Sequence, residues 1–176
     1  MNARRQTPPR RILRKTLLIV GEGDAEEAFL KHLKALFVGR TGRIEVKVGN
    51  ARGKGARNVI NHARRQWASI AYDQVAVLFD TDTDWSPEVE KLARDAGIVV
   101  LACTPCLETE LLILAGKPGP ERTLEAKRNF HKAFNTDAHR PDLYPDAFPL
   151  ALLKEHMAAR PDGLVSRLIR LMTHTV

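Results

Sequence analysis

Two cysteines, Cys103 and Cys106, are all that the 176 residues contain. So few exclude a disulfide framework, and a reducing compartment keeps such a pair as thiols. No apolar run approaches the roughly 20 residues that a bilayer-spanning helix needs. The N-terminus carries no apolar stretch followed by a small-residue cleavage site. A cytoplasmic protein without a membrane partner is the resulting expectation. A P-loop is missing too, since no Gly-Lys-Ser/Thr follows a glycine run. Gly21-Glu22-Gly23 fails as a dinucleotide fingerprint because Glu26 stands at the third glycine position. A carboxylate between the first two glycines would also repel a pyrophosphate.

Acids are absent from Met1–Lys15, where Arg4, Arg5, Arg10, Arg11, Arg14 and Lys15 supply six charges of the net +7. The remainder is therefore nearly neutral. Such an arm either contacts phosphates non-specifically or is a solvated tail, and Pro8 and Pro9 suit the tail. Elsewhere the composition, 44% hydrophobic and 28% charged, is that of an ordinary globular chain. The length suits one compact domain with its own core.

Thr16-Leu-Leu-Ile-Val20 is a short apolar run ending at Gly21, a buried-strand pattern. From Asp24, read as an N-cap, a helix follows with Ala28, Leu33, Leu36 and Phe37 near one face and acids in its first turn. Residues 43–48 alternate as a half-exposed strand, and 49–58 form a glycine-rich basic loop before a helix with Val59, Ile60, Ala63 and Trp67 in register. Residues 74–79 are apolar after Gln74, a central strand. Ser86 as N-cap, Pro87 at the first helical position and Gly97 as the stop delimit the next helix. Residues 98–103 make a fourth strand, and a helix then runs to Gly116. Strands alternating with helices imply a parallel, three-layer α/β sheet with right-handed crossovers. The expected organisation is a basic flexible arm (1–15), an α/β core (16–116) and a helical C-terminal extension packed on it (117–176).

In parallel α/β sheets, ligands bind outside the carboxyl ends of the strands. That rule brings Glu22, Lys54, Asp80, Asp82 and Glu108 to one edge. Acids from separate strands describe a hard-cation site suited to Mg²⁺ or Mn²⁺. Asp80, Asp82 and Asp84 alternate, which places like charges together unless a cation lies among them. One acid explains a helix cap but three do not, so Asp80 and Asp82 read as ligands and Asp84 as either a ligand or a cap of the helix near Ser86. The candidate metal set is Glu22, Asp80, Asp82 and Asp84. Arg52, Lys54 and Arg57 in the glycine-rich loop are candidate phosphate donors, or residues of a plain surface loop. Cys103-Thr-Pro-Cys106 after a strand also has a thioredoxin-like redox context.

An apolar strand ending in Glu-Gly (Leu17 to Leu30), followed by one ending in Asp-x-Asp (Val75 to Asp84), resembles the Toprim domain. Thr104-Pro-Cys-Leu-Glu108 with the helix after it resembles the Pro-Cys-Phe-Glu block of RloB-like Toprim proteins, a restriction-linked abortive-infection family; Leu107 replaces the phenylalanine. The resemblance covers roughly residues 17–114, with a weak further match that aligns Lys132 with a family lysine. It implies a Toprim-like fold and a Mg²⁺- or Mn²⁺-dependent nuclease in a prokaryotic phage-defence setting. Glu22, Asp80, Asp82 and Glu108 are then catalytic: the aspartates hold metal, Glu22 is ligand or general acid/base, and Glu108 supports the site. With only Tyr72 and Tyr144 and no room for a second domain, strand passage is not expected. Partners implied are DNA or RNA and a protein of the same defence system. The alternative is a non-catalytic module that binds nucleic acid or nucleotide and regulates that partner.

Overall fold

The computed structural model describes residues 14–39 and 42–173, so the arginines at positions 4–11 lie outside the described residues. Four strands, β1 (Lys15–Gly21), β2 (Ile44–Asn50), β3 (Gln74–Asp80) and β4 (Val99–Cys103), form one parallel sheet in the order β2-β1-β3-β4. Register pairs Ile19 with Val48 and with Ala76, and Leu78 with Leu101. The side-chain period of two divides each strand between two cores. Leu17, Ile19, Ala76, Leu78 and Leu101 point to one face, while Leu18, Val20, Val75, Val77 and Phe79 point to the other.

The second face is covered by α2 (Gly55–Ser69) and α3 (Pro87–Asp95), through Val59, Ile60, Ala63, Val89 and Ala93. The first is covered by α1 (Asp24–Phe37) and α4 (Leu107–Leu114), together with the later helices. These are α5 (Thr123–Phe134), α6 (Tyr144–Ala147, entered through a 3-10 turn at Pro141–Leu143), α7 (Leu150–Ala159) and α8 (Leu164–Thr173). The architecture is a three-layer α/β sandwich, as the alternating pattern required.

Two local readings change. The cap of α1 is Gly23, not Asp24, and Glu26 folds back so that its carboxylate accepts the Gly23 N–H at 2.8 Å. The buried stripe of α1 is Ala28, Phe29, Leu30 and Leu33, and Leu36 is exposed. The Pro- and Asp-rich stretch after Asn135 is a working part of the core, because Tyr144 and Phe148 are wholly buried in it. Ser86 does cap α3, its hydroxyl accepting from the Val89 N–H. Among the described residues, no helix is long and apolar enough to cross a membrane.

Candidate metal centre at the sheet edge

The strand order reverses between β1 and β3: the chain leaves β1 for β2 on one side, and β3 and β4 add on the other. Crevices at such a reversal are where open parallel sheets bind ligands. Glu22 follows β1 and Asp80 ends β3, so the two acids flank this point. Their contact is direct. Glu22 Oε2 accepts the Asp80 N–H at 3.2 Å, and Oε1 accepts the Gly55 N–H at 3.1 Å. Glu22 thereby ties the start of α2 to the end of β3, while its own carbonyl accepts from Gly53.

The Asp80 carboxylate lies at the start of α4, where Oδ1 accepts the Leu107 N–H at 2.9 Å. Burial pushes its pKa up to about 8, helped by Glu26, Glu108 and Glu22 and opposed by the Leu107 hydrogen bond. Oxygen atoms of Asp80 and Glu108 and the Cys106 sulfur all lie within 4.8 Å of one another. Glu26, 5% exposed, has its pKa raised to about 7, chiefly by burial and further by Glu22 and Glu108. Four carboxyl groups from three strand-to-helix junctions thus share one electrostatic neighbourhood. Among the described residues, none of these four makes an ion pair with a basic side chain within 4.0 Å.

The donor set of Asp80, Glu108 and Cys106 can hold a metal ion. Two carboxylate oxygens without a basic partner fit a small divalent cation, since its charge would offset the burial, and the smaller mutual repulsion, that disfavour ionised Asp80 and Glu26. The Cys106 thiol is pushed up to about 11 by burial, so it stands beside the oxygens as a protonated neighbour. Cys103 is fully buried, and its thiol is raised as well. Dithiol redox chemistry needs a depressed thiolate, and both shifts here run the other way.

Three of the four expected ligands, Glu22, Asp82 and Asp84, lie outside the trio: Glu22 is held by the Asp80 and Gly55 N–H groups, and the two aspartates are used differently. Asp84 accepts the Ala56 and Arg57 N–H groups with its two oxygens, so it caps α2 across the sheet edge and not the helix at Ser86. Gly55 is required there: its φ is +78°, and a Cβ would run into the Asp84 carboxylate. Asp82 is exposed and stands apart from the trio, with Oδ2 accepting the Thr123 hydroxyl of α5 at 2.7 Å and Oδ1 that of Thr83 at 3.0 Å. Lys132 lines a cleft with Leu112 and Lys117. The lysine of α5 that senses the acids is Lys127, raised by Glu108, Asp80, Cys106 and Asp82 against its own burial.

Arg52, Lys54 and Arg57 are exposed around a built turn, in which Arg52 and Lys54 adopt left-handed backbone and the Asn58 amide donates to the carbonyls of Ala51 and Gly53. Arg52 lies near Glu27 and Arg57 near Glu88.

Sequence reasoning missed Glu26 and Lys127. Glu26 looks like a dipole-favoured first-turn acid, yet Gly21 beside it offers a signal. A Cβ on Gly21 would come within 2.7 Å of the Glu26 Cβ, so the glycine admits the glutamate against the strand end. Comparison of the chain with protein-family models, with curated proteins and with solved structures yields no match.

Proposed function

We propose that this protein is a Toprim-like, divalent-metal-dependent phosphodiesterase that acts on nucleic acid. One observation carries the reading. Asp80 and Glu108, with Glu22 and Glu26 beside them, gather at the reversal point of a parallel sheet without a basic ion-pair partner. The position of Glu22 against Asp80 supports the motif assignment made from the chain.

Asp80 and Glu108 would hold the cation, Mg²⁺ or Mn²⁺, with Cys106 adjacent. When bound, such an ion neutralises phosphate charge and lowers the pKa of a water for attack at phosphorus. Glu22 is a positioning residue: its two hydrogen bonds fix the β2–α2 loop, and hence Arg52, Lys54 and Arg57, against the end of β3. Metal-free Asp80 carries a proton near neutrality and releases it when the cation takes its place. Asp82 acts by holding α5 through Thr123.

The phage-defence setting rests on the resemblance of the Pro105-Cys106-Leu107-Glu108 block. Its test is plating efficiency of phage on cells carrying the wild-type or the Asp80→Ala gene. The activity itself is tested by incubating DNA, structured RNA and tRNA with the purified protein and Mg²⁺ or Mn²⁺. Cleavage lost in Asp80→Ala and Glu108→Ala supports the reading, and cleavage unchanged in both sinks it.

A second reading, a non-catalytic binding module, is favoured by the departure of the edge from the expected ligand set: of Glu22, Asp80, Asp82 and Asp84, only Asp80 joins the trio. Salt-sensitive nucleic-acid binding with no hydrolysis under any divalent ion would select it.

A further inference from the structure

A groove of about 720 Å³ runs beside the acidic edge, between Asp82 and Pro105 on one side and Glu121, Arg122, Leu124, Glu125, Arg128 and Asn129 of the α5 region on the other, with Lys127 outside this lining. Its volume lies within the range of roughly 300–1,000 Å³ that encloses small organic ligands. The wall is fixed. Thr123 donates to Asp82 at 2.7 Å, Ala126 and Phe130 bury the opposite face of α5, and Thr109 donates to the Pro120 carbonyl at 3.0 Å, pinning the α4–α5 connection.

Helix periodicity places the cations. Lys127 is four residues after Thr123 and so lies on the face that touches Asp82, while Arg128 is four residues after Leu124 on the groove side. Lys127 feels Glu108, Asp80 and Asp82 but forms no ion pair with any of them among the described residues. A cation held near carboxylates without touching them is placed to meet an anion that arrives between. Leu124, 81% exposed on the same wall, is a large apolar group that a flat base would cover.

We infer that this groove receives one unpaired nucleotide of a single-stranded nucleic acid, with its base packed on Leu124 and Pro105 and its phosphate at the rim, between Arg128 of the lining and Lys127 on the adjacent face of α5. The inference rests on reading the adjacent acidic edge as a phosphodiester site. A concave recess of this size takes a base and its phosphate, whereas a duplex keeps its bases stacked inside and offers only backbone. Asn129 adds an amide whose donor and acceptor can meet a base edge.

The test is fluorescence anisotropy with fluorescein-labelled strands of about 12 nucleotides, within the usual span of single-strand sites. DNA and RNA strands and their blunt duplexes are titrated with EDTA present, so that turnover does not interfere. The expected result is single-strand binding at least tenfold tighter than duplex binding, and the DNA and RNA arms identify the sugar. Lys127→Gln and Arg128→Gln should each weaken it several-fold and reduce the salt slope by about 1. Leu124→Ser should weaken it with the salt slope unchanged. All three side chains are exposed, and melting curves verify that the variants fold. Equal affinity for single strand and duplex, or indifference to Lys127→Gln and Leu124→Ser, overturns the groove. Metal-dependent cleavage that persists in that case leaves the active-site reading standing. Single-strand binding that is sensitive to Leu124→Ser, in a protein that neither binds Mn²⁺ nor cleaves, upholds the groove and overturns the metal reading instead.

Discussion

Asp80 joins three interactions in one residue, because its backbone N–H holds Glu22, its carboxylate opens α4 and its oxygens lie with Cys106 and Glu108 in a group that could hold a metal ion. Its native pKa of about 8 against an ordinary 3.8 has a thermodynamic consequence. Between these values the metal-free native state binds more protons than the unfolded chain, so stability falls as pH rises across that window. Glu26, raised to about 7, acts in the same direction. Urea unfolding with EDTA should therefore show a lower midpoint at about pH 8 than at about pH 5, and Mn²⁺ should restore much of the loss at the higher pH. Asp80→Asn, which removes the charge and keeps the shape, should unfold later than wild type at about pH 8 without metal and gain nothing from Mn²⁺. Cys106→Ser should leave Mg²⁺-dependent cleavage within a few-fold of wild type, because a hard Mg²⁺ ion takes oxygen donors, which Asp80 and Glu108 supply.

Elements converge on this edge through their termini. The end of β1, the start of α2, the end of β3 and the start of α4 are joined by carboxylates that accept backbone N–H groups: those of Gly55, Ala56 and Leu107 are donors a helix start leaves open, and that of Asp80 lies at the end of β3. Asp84 does this for α2. Its replacement by Ala should cost about 1 kcal/mol, as loss of an N-cap does, and should leave Mn²⁺ affinity unchanged in calorimetry. A tenfold loss of affinity would return Asp84 to the ligand set. The alternation Asp80-Asp82-Asp84 is visible in the chain, but which carboxylate meets a helix and which is left beside Glu108 and Cys106 depends on where the β2–α2 loop lies. That loop is some thirty residues earlier, and local spacing carries no record of it. The convergence of Glu22, Asp80 and Glu108 on one edge was legible because each lies at a strand end or one short loop beyond it. Lys127 was not, since only the packing of α5 onto α4 brings it near the acids.

At the scale of the molecule, the parallel sheet and its three layers follow from four apolar runs separated by helical patterns, and only the strand order needed coordinates. The helices after Gly116 complete one face of the sheet: Leu168, Ile169 and Met172 of α8 are buried in the same core as Leu17, Phe29 and Leu101. Leu168→Ala should thus cost about 2–5 kcal/mol. Fluorescence of Trp67 and Trp85, on the opposite face, should report the same urea midpoint as far-UV circular dichroism if both faces unfold together. A separate, earlier transition in the dichroism would show the C-terminal helices to be a distinct unit.

If the reversal point of the sheet takes a divalent cation, Asp80 is the residue that must hold it. Calorimetric titration of Mn²⁺ into metal-free protein at about pH 7, repeated in buffers of different ionisation enthalpy, tests it most directly. Wild-type protein should bind saturably with proton release, and Asp80→Asn should do neither. Wild-type protein that takes up no Mn²⁺, or an Asp80→Asn variant that binds it equally well, would contradict it.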